Sequence, residues 1–279
     1  MLKVLKSGFF TSIQDAGRFG YRDIGVPISG AMDMWTVGKL NMILENAEDA
    51  AVLEITMTGP TLVFELESSI VLGGAEMSAT LNNKPLRNHK VYQVVEGDIV
   101  SYGRLEKGFR AYLAIKGGFK SQKVMGSRSM YFPVTPINHL SDRDEVPYDT
   151  DKSFEPKITE YKVPNLLEDT LLQVHKGPEY QILGDRQLEK LFATDFTIAK
   201  ENNRMAYQLQ EPIQGHQLSM LTSATLSGTV QLTPAGKLII LMKDGQTTGG
   251  YPRILQLDDK AISTLAQKKY GDQVSFKLA

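Results

Sequence analysis

"GDIVSY", residues 97–102, is met again as "GDQVSF", residues 271–276. In both, a Gly-Asp turn pair runs into a short alternating strand pattern. Working outward, "TMTG" at 56–59 finds a counterpart in "TLSG" at 225–228, and "IVL" at 70–72 in "IIL" at 239–241. "LKVLKSG" at 2–8 is answered by "LQVHKG" at 172–177. The order is kept, and the offset drifts only from 169 (225 less 56) to 174 (271 less 97). Such self-similarity is the mark of a duplicated unit. It predicts two copies, residues 2–102 and 172–277, within domains bounded at 1–165 and 166–279.

Strands dominate the local patterns. Thr61-Leu62-Val63-Phe64, Ser69-Ile70-Val71-Leu72, Lys90 to Val95, Arg110 to Ile115 and Lys237 to Met242 are rich in β-branched and aromatic residues and are bounded by Gly, Pro or Asn. Asn82-Asn83 reads as a hairpin turn. Three helices are expected. One is capped by Asp33 and carries Met34, Val37, Leu40 and Leu44; one is capped by Asp185 and carries Leu188, Leu191 and Phe192; one is capped by Asp259, carries Ile262 and Leu265, and is ended by Gly271. Many strands with one or two helices per copy point to a mainly β protein of two closed barrels, each plugged by a helix. Asn138 to Pro164, polar and including Asp142, Asp144, Glu145, Asp149, Asp151 and Lys152, reads as the linker.

The composition excludes several functions. The 279 residues include 31 basic and 32 acidic ones, a formal net charge of −1, which offers no global attraction to nucleic acid or an anionic membrane. There is no cysteine, so disulfides and thiolate chemistry are out, and a cytoplasmic setting is expected. Residues 1–6 lack the apolar run of a signal peptide, and no stretch of about 18 apolar residues is present to span a bilayer. His89, His139, His175 and His216 have no ligand spacing, so no metal site is expected. No G-x-x-x-x-G-K-[ST] loop occurs.

Three stretches carry chemistry that strands do not need. "QDAGRFGYRDIGVPISGAMD", residues 14–33, sets Gly17, Gly20, Gly25 and Gly30 among Gln14, Asp15, Arg18, Tyr21, Arg22 and Ser29. Glycines at that density let backbone N–H groups approach a ligand, and a guanidinium grips carboxylate or phosphate through two parallel bonds. "GSRS", residues 126–129, offers Ser127 and Arg128 on a turn. "QTTGGYPR", residues 246–253, packs Gln246, Thr247, Thr248, Tyr251 and Arg253 around two glycines. Its counterpart in the first copy, Gly73 to Met77, is plain, so one rim is elaborated for function.

"TSIQDAGRFGYRDIGVPISGAMD", "LEITMTGPTLVF", "YLAIKGGF" with "VMGSRSMY", "LTPAGKLIILM" and "DGQTTGGYPRI" together resemble the biotin-dependent carboxyltransferase A/B-subdomain family, also called the allophanate hydrolase subunit 2 family. The resemblance covers nearly the whole chain. It implies two tandem cyclophilin-like β-barrel subdomains with a few short helices, and a companion B subunit that bears the matching C/D subdomains. The family includes a subunit of ATP-dependent 5-oxoprolinase, the carboxyltransferase part of urea carboxylase, and an antagonist of a kinase-inhibitor protein. The first of these implies a lactam-opening A subunit as a further partner, ATP used by the assembled complex, and a small amide or lactam as ligand. Leu241-Met242-Lys243-Asp244 is a poor match to a biotin attachment segment, so no covalent biotin is expected on this chain. On that basis Gln14 to Tyr21 and Gln246 to Arg253 are expected to line one cleft. Arg18 and Arg253 would hold carboxylate or phosphoryl charge, Gln14 and Gln246 would read amide edges, and Asp15 would act as a base or orient an arginine. Tyr21, Ser29, Ser127, Arg128, Thr247, Thr248 and Tyr251 would complete the binding surface.

Overall fold

The structure is a computed structural model that describes residues 1–151, 153–162 and 166–279. Two compact units divide the chain. The first holds residues 1–18 and 29–167; the second holds residues 19–28 and 168–279.

In the first unit the strands are β1 (Leu2–Lys6), β2 (Phe10–Gln14), β3 (Val52–Thr56), β4 (Thr61–Phe64), β5 (Ser68–Glu76), β6 (Thr80–Leu81), β7 (Lys84–Pro85), β8 (Val91–Val94), β9 (Ile99–Ser101), β10 (Lys107–Ile115) and β11 (Glu145–Val146). They form a six-stranded sheet in the order β11-β1-β4-β9-β6-β7 and a five-stranded sheet in the order β2-β3-β10-β5-β8. Side chains alternate across a strand, so β3, β5 and β10 of the second sheet each serve two cores. Leu53, Ile55, Leu72, Leu113 and Ile115 join Leu2, Val4, Leu62, Phe64 and Val100 in one core. Val52, Val71, Tyr112 and Ala114 form a second core with Val37, Leu40 and Ile43 of helix α1 (Met34–Ile43). Each buried Leu or Ile contributes about 1.5–3 kcal/mol. Helix α1 therefore seals the outer face of the five-stranded sheet rather than plugging a barrel. Its start is as expected: the Asp33 carboxylate accepts from Thr36 N at 2.9 Å and Thr36 Oγ1 at 2.7 Å.

The hairpin at Asn82-Asn83 joins β6 to β7, with both residues at positive φ, 49° and 64°, as a two-residue turn of primed type requires. The stretch read as a linker is tied to the first unit. Leu140, Val146 and Tyr148 are buried in its main core, β11 pairs with β1, and Phe154 and Ile158 pack against the α1 core. Scattered single apolar residues among acids concealed this anchoring. Lys152, Pro164 and the boundary at Asn165 lie outside the described residues.

In the second unit β12 (Leu171–Lys176), β13 (Phe196–Asn202), β14 (Ala206–Leu209), β15 (Ser223–Ala224), β16 (Thr229–Leu232), β17 (Leu238–Leu241), β18 (Thr248–Gly249), β19 (Arg253–Leu257) and β20 (Gln273–Leu278) follow in order. Seven of them close into a barrel, β12-β19-β16-β17-β14-β13-β20, and β15 with β18 makes a separate two-stranded sheet. Leu172, Val174, Val230, Leu232, Ile240, Leu255 and Phe276 are among its fully or nearly fully buried residues. Helix α2 (Asp185–Ala193) starts from Gly184, whose N–H is bound by the Gln187 side chain, one residue before the Asp185 cap expected. Helix α3 (Asp259–Ala266) is capped by Asp258, whose carboxylate accepts from Ala261 N at 2.7 Å. Asp259 is its first residue, and Gly271 turns the chain into β20 well after the helix has ended.

The architecture is mainly β with three short helices, as expected, but the sequence matches do not mark equivalent strands. β4 follows Gly59 and lies between β1 and β9, whereas β16 follows Gly228 and lies between β17 and β19. The shared Gly-Asp and Thr-x-x-Gly patterns report the common chemistry of strand entry, not a shared address in the fold.

Candidate functional site

Two groups of candidate residues are present, one in each unit. In the first, Gln14 is the last residue of β2 and Asp15 follows it. The Asp15 carboxylate is saturated. Its Oδ1 accepts from Ser127 Oγ at 2.6 Å, Ser129 Oγ at 2.7 Å and Gly17 N at 2.8 Å, and its Oδ2 accepts from Arg128 N at 2.6 Å. Ser129 Oγ also accepts from Asp15 N at 3.0 Å. Asp15 is the clasp that joins the glycine loop to the 126–129 turn.

Arg18 is 1% exposed, and its guanidinium donates to the Ser129 carbonyl. Gln14, fully buried, donates to Ser12 Oγ at 3.0 Å and to the Met130 carbonyl at 3.2 Å. The Arg128 guanidinium donates to the Ser121 carbonyl. Ser29 is different. It is fully buried, sits at φ 57°, and among the described residues its hydroxyl has no partner. Gly30, at φ 85°, follows it because a Cβ there would lie 2.9 Å from the Ala16 carbonyl carbon. Beyond it, Glu54 accepts from Met32 N at 2.7 Å and from Tyr112 Oη at 2.9 Å, and Tyr112 Oη accepts from Asp33 N at 2.9 Å. Burial, with the Glu54 and Asp33 charges behind it, holds the Tyr112 phenol well above its ordinary pKa, so it remains a proton donor.

In the second unit, residues 19–28 bring Arg22, whose guanidinium donates to the Thr225 carbonyl. Thr225 in turn ties to the Gln246–Arg253 stretch: its N–H donates to the Thr247 carbonyl at 3.0 Å and its hydroxyl to the Gln246 carbonyl at 2.5 Å. β15 pairs with β18, which sets Ala224 opposite Thr248 and Ser223 opposite Gly249. Gln246, Thr248 and Tyr251 are exposed, Thr247 is buried, and Tyr21 is half-buried. The expected pair of loops is thus divided. Gln14 to Arg18 belongs to the first unit, and Phe19 to Ile28 joins the 246–253 stretch in the second.

Each guanidinium nitrogen of Arg253 makes a hydrogen bond within the protein. Nε and a terminal nitrogen grip the Glu179 carboxylate at 2.9 and 2.7 Å, and the other terminal nitrogen donates to the Ala224 carbonyl at 2.5 Å. Through the Ala224 carbonyl it anchors β15. This pairing lowers the Glu179 carboxyl pKa and raises that of Arg253. Arg204 and Asp244 form a second fork, Nε to Oδ2 at 2.7 Å and NH2 to Oδ1 at 3.1 Å, which fixes the chain just before Gln246. Sequence reasoning missed Glu179, Arg204 and Thr225. Their only signal was a charge or hydroxyl far away in sequence.

Lys243 lies between Met242, which is 1% exposed, and Asp244, which is held by Arg204. Among the described residues no group of three or more His, Asp or Glu could hold a metal ion, and no helix is long and apolar enough to cross a membrane.

Residues 24–278 match the family model of the carboxyltransferase domain, subdomains A and B. The chain is 32% identical over 282 residues to the C subunit of 5-oxoprolinase from Escherichia coli (strain K12), covering 99% of this chain and 90% of that one. It superposes on the crystal structure of TTHA0988 with a TM-score of 0.90 at 23% identity, and spans 99% of itself but only 56% of that chain. With the Kluyveromyces lactis urea carboxylase the TM-score is 0.85 at 27% identity, over 99% of this chain and 27% of that one.

Proposed function

The chain belongs to the carboxyltransferase-domain family of subdomains A and B, and from that premise we propose that it is the C subunit of an ATP-dependent 5-oxoprolinase. In this reading the assembled enzyme converts 5-oxo-L-proline, ATP and water to L-glutamate, ADP and phosphate. The observation that carries the reading is the near end-to-end likeness to the Escherichia coli protein of that name. The chemical problem is a lactam whose amide resonance makes it inert to water. Phosphorylating the lactam oxygen ends that resonance and leaves a leaving group, and ATP is consumed by the complex for that step.

Within this chain, the exposed Gln246, Thr248 and Tyr251 read the edges of the small amide. Arg253 and Glu179 hold the loop that presents them. Asp15, Ser127 and Ser129 fix the glycine loop that carries Arg18 and Ser29, and the Ser29 hydroxyl serves as a ligand contact. The chain is inactive alone and works with a companion B subunit and a lactam-opening A subunit. The reading takes the assembly to be cytoplasmic, in keeping with a chain that has no cysteine.

The test is 5-oxoproline-dependent ATP hydrolysis by the purified chain, alone and with both companions. Turnover is expected only from the mixture; turnover by the chain alone, or a mixture whose ATP hydrolysis ignores 5-oxoproline, overturns the reading. The likeness to urea carboxylase favours a second reading, a carboxyltransferase that accepts a carboxyl group from carboxybiotin on another chain. Carboxylation of urea by this chain with a biotinylated carrier would select it.

A further inference from the structure

The first unit contains a cavity of about 300 Å³ that none of the candidate site residues above lines. It opens where β5 ends, between the 86–88 loop and the turn at Tyr102. The floor is apolar: Leu72, Ala75, Met77 and Ala111 belong to the main core, with Leu86 packed against it. The space exists because alanines stand at 75 and 111 where larger side chains would close it.

The rim is charged with both signs, through Glu76 and Glu106 on one hand and Arg87 on the other. Glu106 is steadied by the Ser78 hydroxyl. Among the described residues the Glu76 carboxylate and the Arg87 guanidinium have no protein partner, though both stand at the same mouth. Tyr102 is part of the wall, and its hydroxyl is shielded from water with no hydrogen-bond partner among the described residues. A closed apolar floor beneath unspent charges of opposite sign suits a compact zwitterion with an aliphatic tail.

We propose that this cavity is a binding site for a small aliphatic α-amino acid, with its side chain on the Ala75–Ala111 floor, its ammonium at Glu76 and Glu106, and its carboxylate at Arg87. The site is independent of the 5-oxoprolinase reading and stands or falls without it.

The test is titration of the purified full chain with L-leucine, followed by calorimetry and by amide chemical shifts. Saturable binding with a Kd of roughly 1 mM or tighter is expected, with shifts at Ala75, Met77 and Arg87. Isoamylamine, which lacks the carboxylate, and 4-methylvalerate, which lacks the ammonium, should each bind at least about tenfold more weakly. Ala75→Leu should abolish binding by filling the floor. Should that variant not fold, Glu76→Gln and Arg87→Gln alter exposed residues only and should each weaken binding about tenfold. No saturation by leucine, equal binding of the amine or the acid, or wild-type binding by both exposed variants overturns the proposal.

Discussion

Arg253 gives three N–H groups to the Glu179 carboxylate: its backbone N and Nε to Oε2 at 2.9 Å each, and a terminal nitrogen to Oε1 at 2.7 Å. Both side chains are about one-fifth exposed. The bond joins the first residue of β19 to the chain just after β12, and through the Ala224 carbonyl it reaches β15 as well. Glu179→Gln removes the charge and replaces one acceptor with a donor aimed at Arg253. A loss of about 1–2 kcal/mol is expected, discounted for the exposed fraction, measured by urea unfolding. Arg253→Lys should lose a similar amount, because an ammonium cannot reproduce the fork. Unchanged midpoints in both variants would make the fork incidental.

The same pair sets a pH dependence. The Glu179 carboxyl is held below its ordinary value, chiefly by the hydrogen bond from Arg253. A depressed folded-state pKa adds stability that is fully present above the ordinary glutamate range and is lost as pH falls through the lowered value. The difference in unfolding free energy between wild type and Glu179→Gln should therefore be flat near neutrality and shrink on acidification below about pH 4.5. A difference that grows in acid contradicts the assignment.

At Asp15, replacement by Asn turns one of two acceptor oxygens into a donor facing hydroxyl or N–H groups. The cost is expected to be about 2–3 kcal/mol. Ser127→Ala alone should cost about 1–2 kcal/mol. The double variant should fall short of the sum by at least about 0.5 kcal/mol, because both changes break one network. Strict additivity in a urea-unfolding cycle would mean that the four donors are not coupled through the carboxylate.

Ser29 separates stability from function. Among the described residues its hydroxyl has no partner, so Ser29→Ala removes a buried polar group that costs free energy to bury, and the melting temperature should hold or rise. Turnover of the assembled complex should fall about tenfold if the hydroxyl contacts ligand, a loss near 1.4 kcal/mol. Wild-type turnover would remove Ser29 from the ligand surface.

How much of this is legible in the sequence depends on distance along the chain. Local signals read well. Asp33 caps its helix and Asn82-Asn83 turns its hairpin, because the partners lie within three residues. At Asp185 and Asp259 the expected cap falls one position late, since the residue before each takes the extended backbone of a cap. Composition marks the site motifs, but not their internal bonding. Asp15 meets Ser127 and Ser129 across more than 110 residues, and Arg253 meets Glu179 across 74. Loop arginines that look free to grip a ligand prove to be bound within the protein. Arg18, 1% exposed, is more a buried strut than a surface grip, so its removal should cost stability as well as activity.

Residues 19–28 belong to the second unit although they precede most of the first. During synthesis they emerge early and must wait for residue 168 and beyond to be made, a delay on the order of ten seconds at ordinary rates of elongation. Until then Phe19 and Ile24, 65% and 64% exposed even when folded, hang from a chain whose partner does not yet exist. The second unit is in this sense stitched from two lengths of polypeptide. A fragment begun at residue 168 would lack the Arg22 bond to Thr225, and adding residues 19–28 as a separate peptide is the direct way to ask whether that stitch can be made in trans.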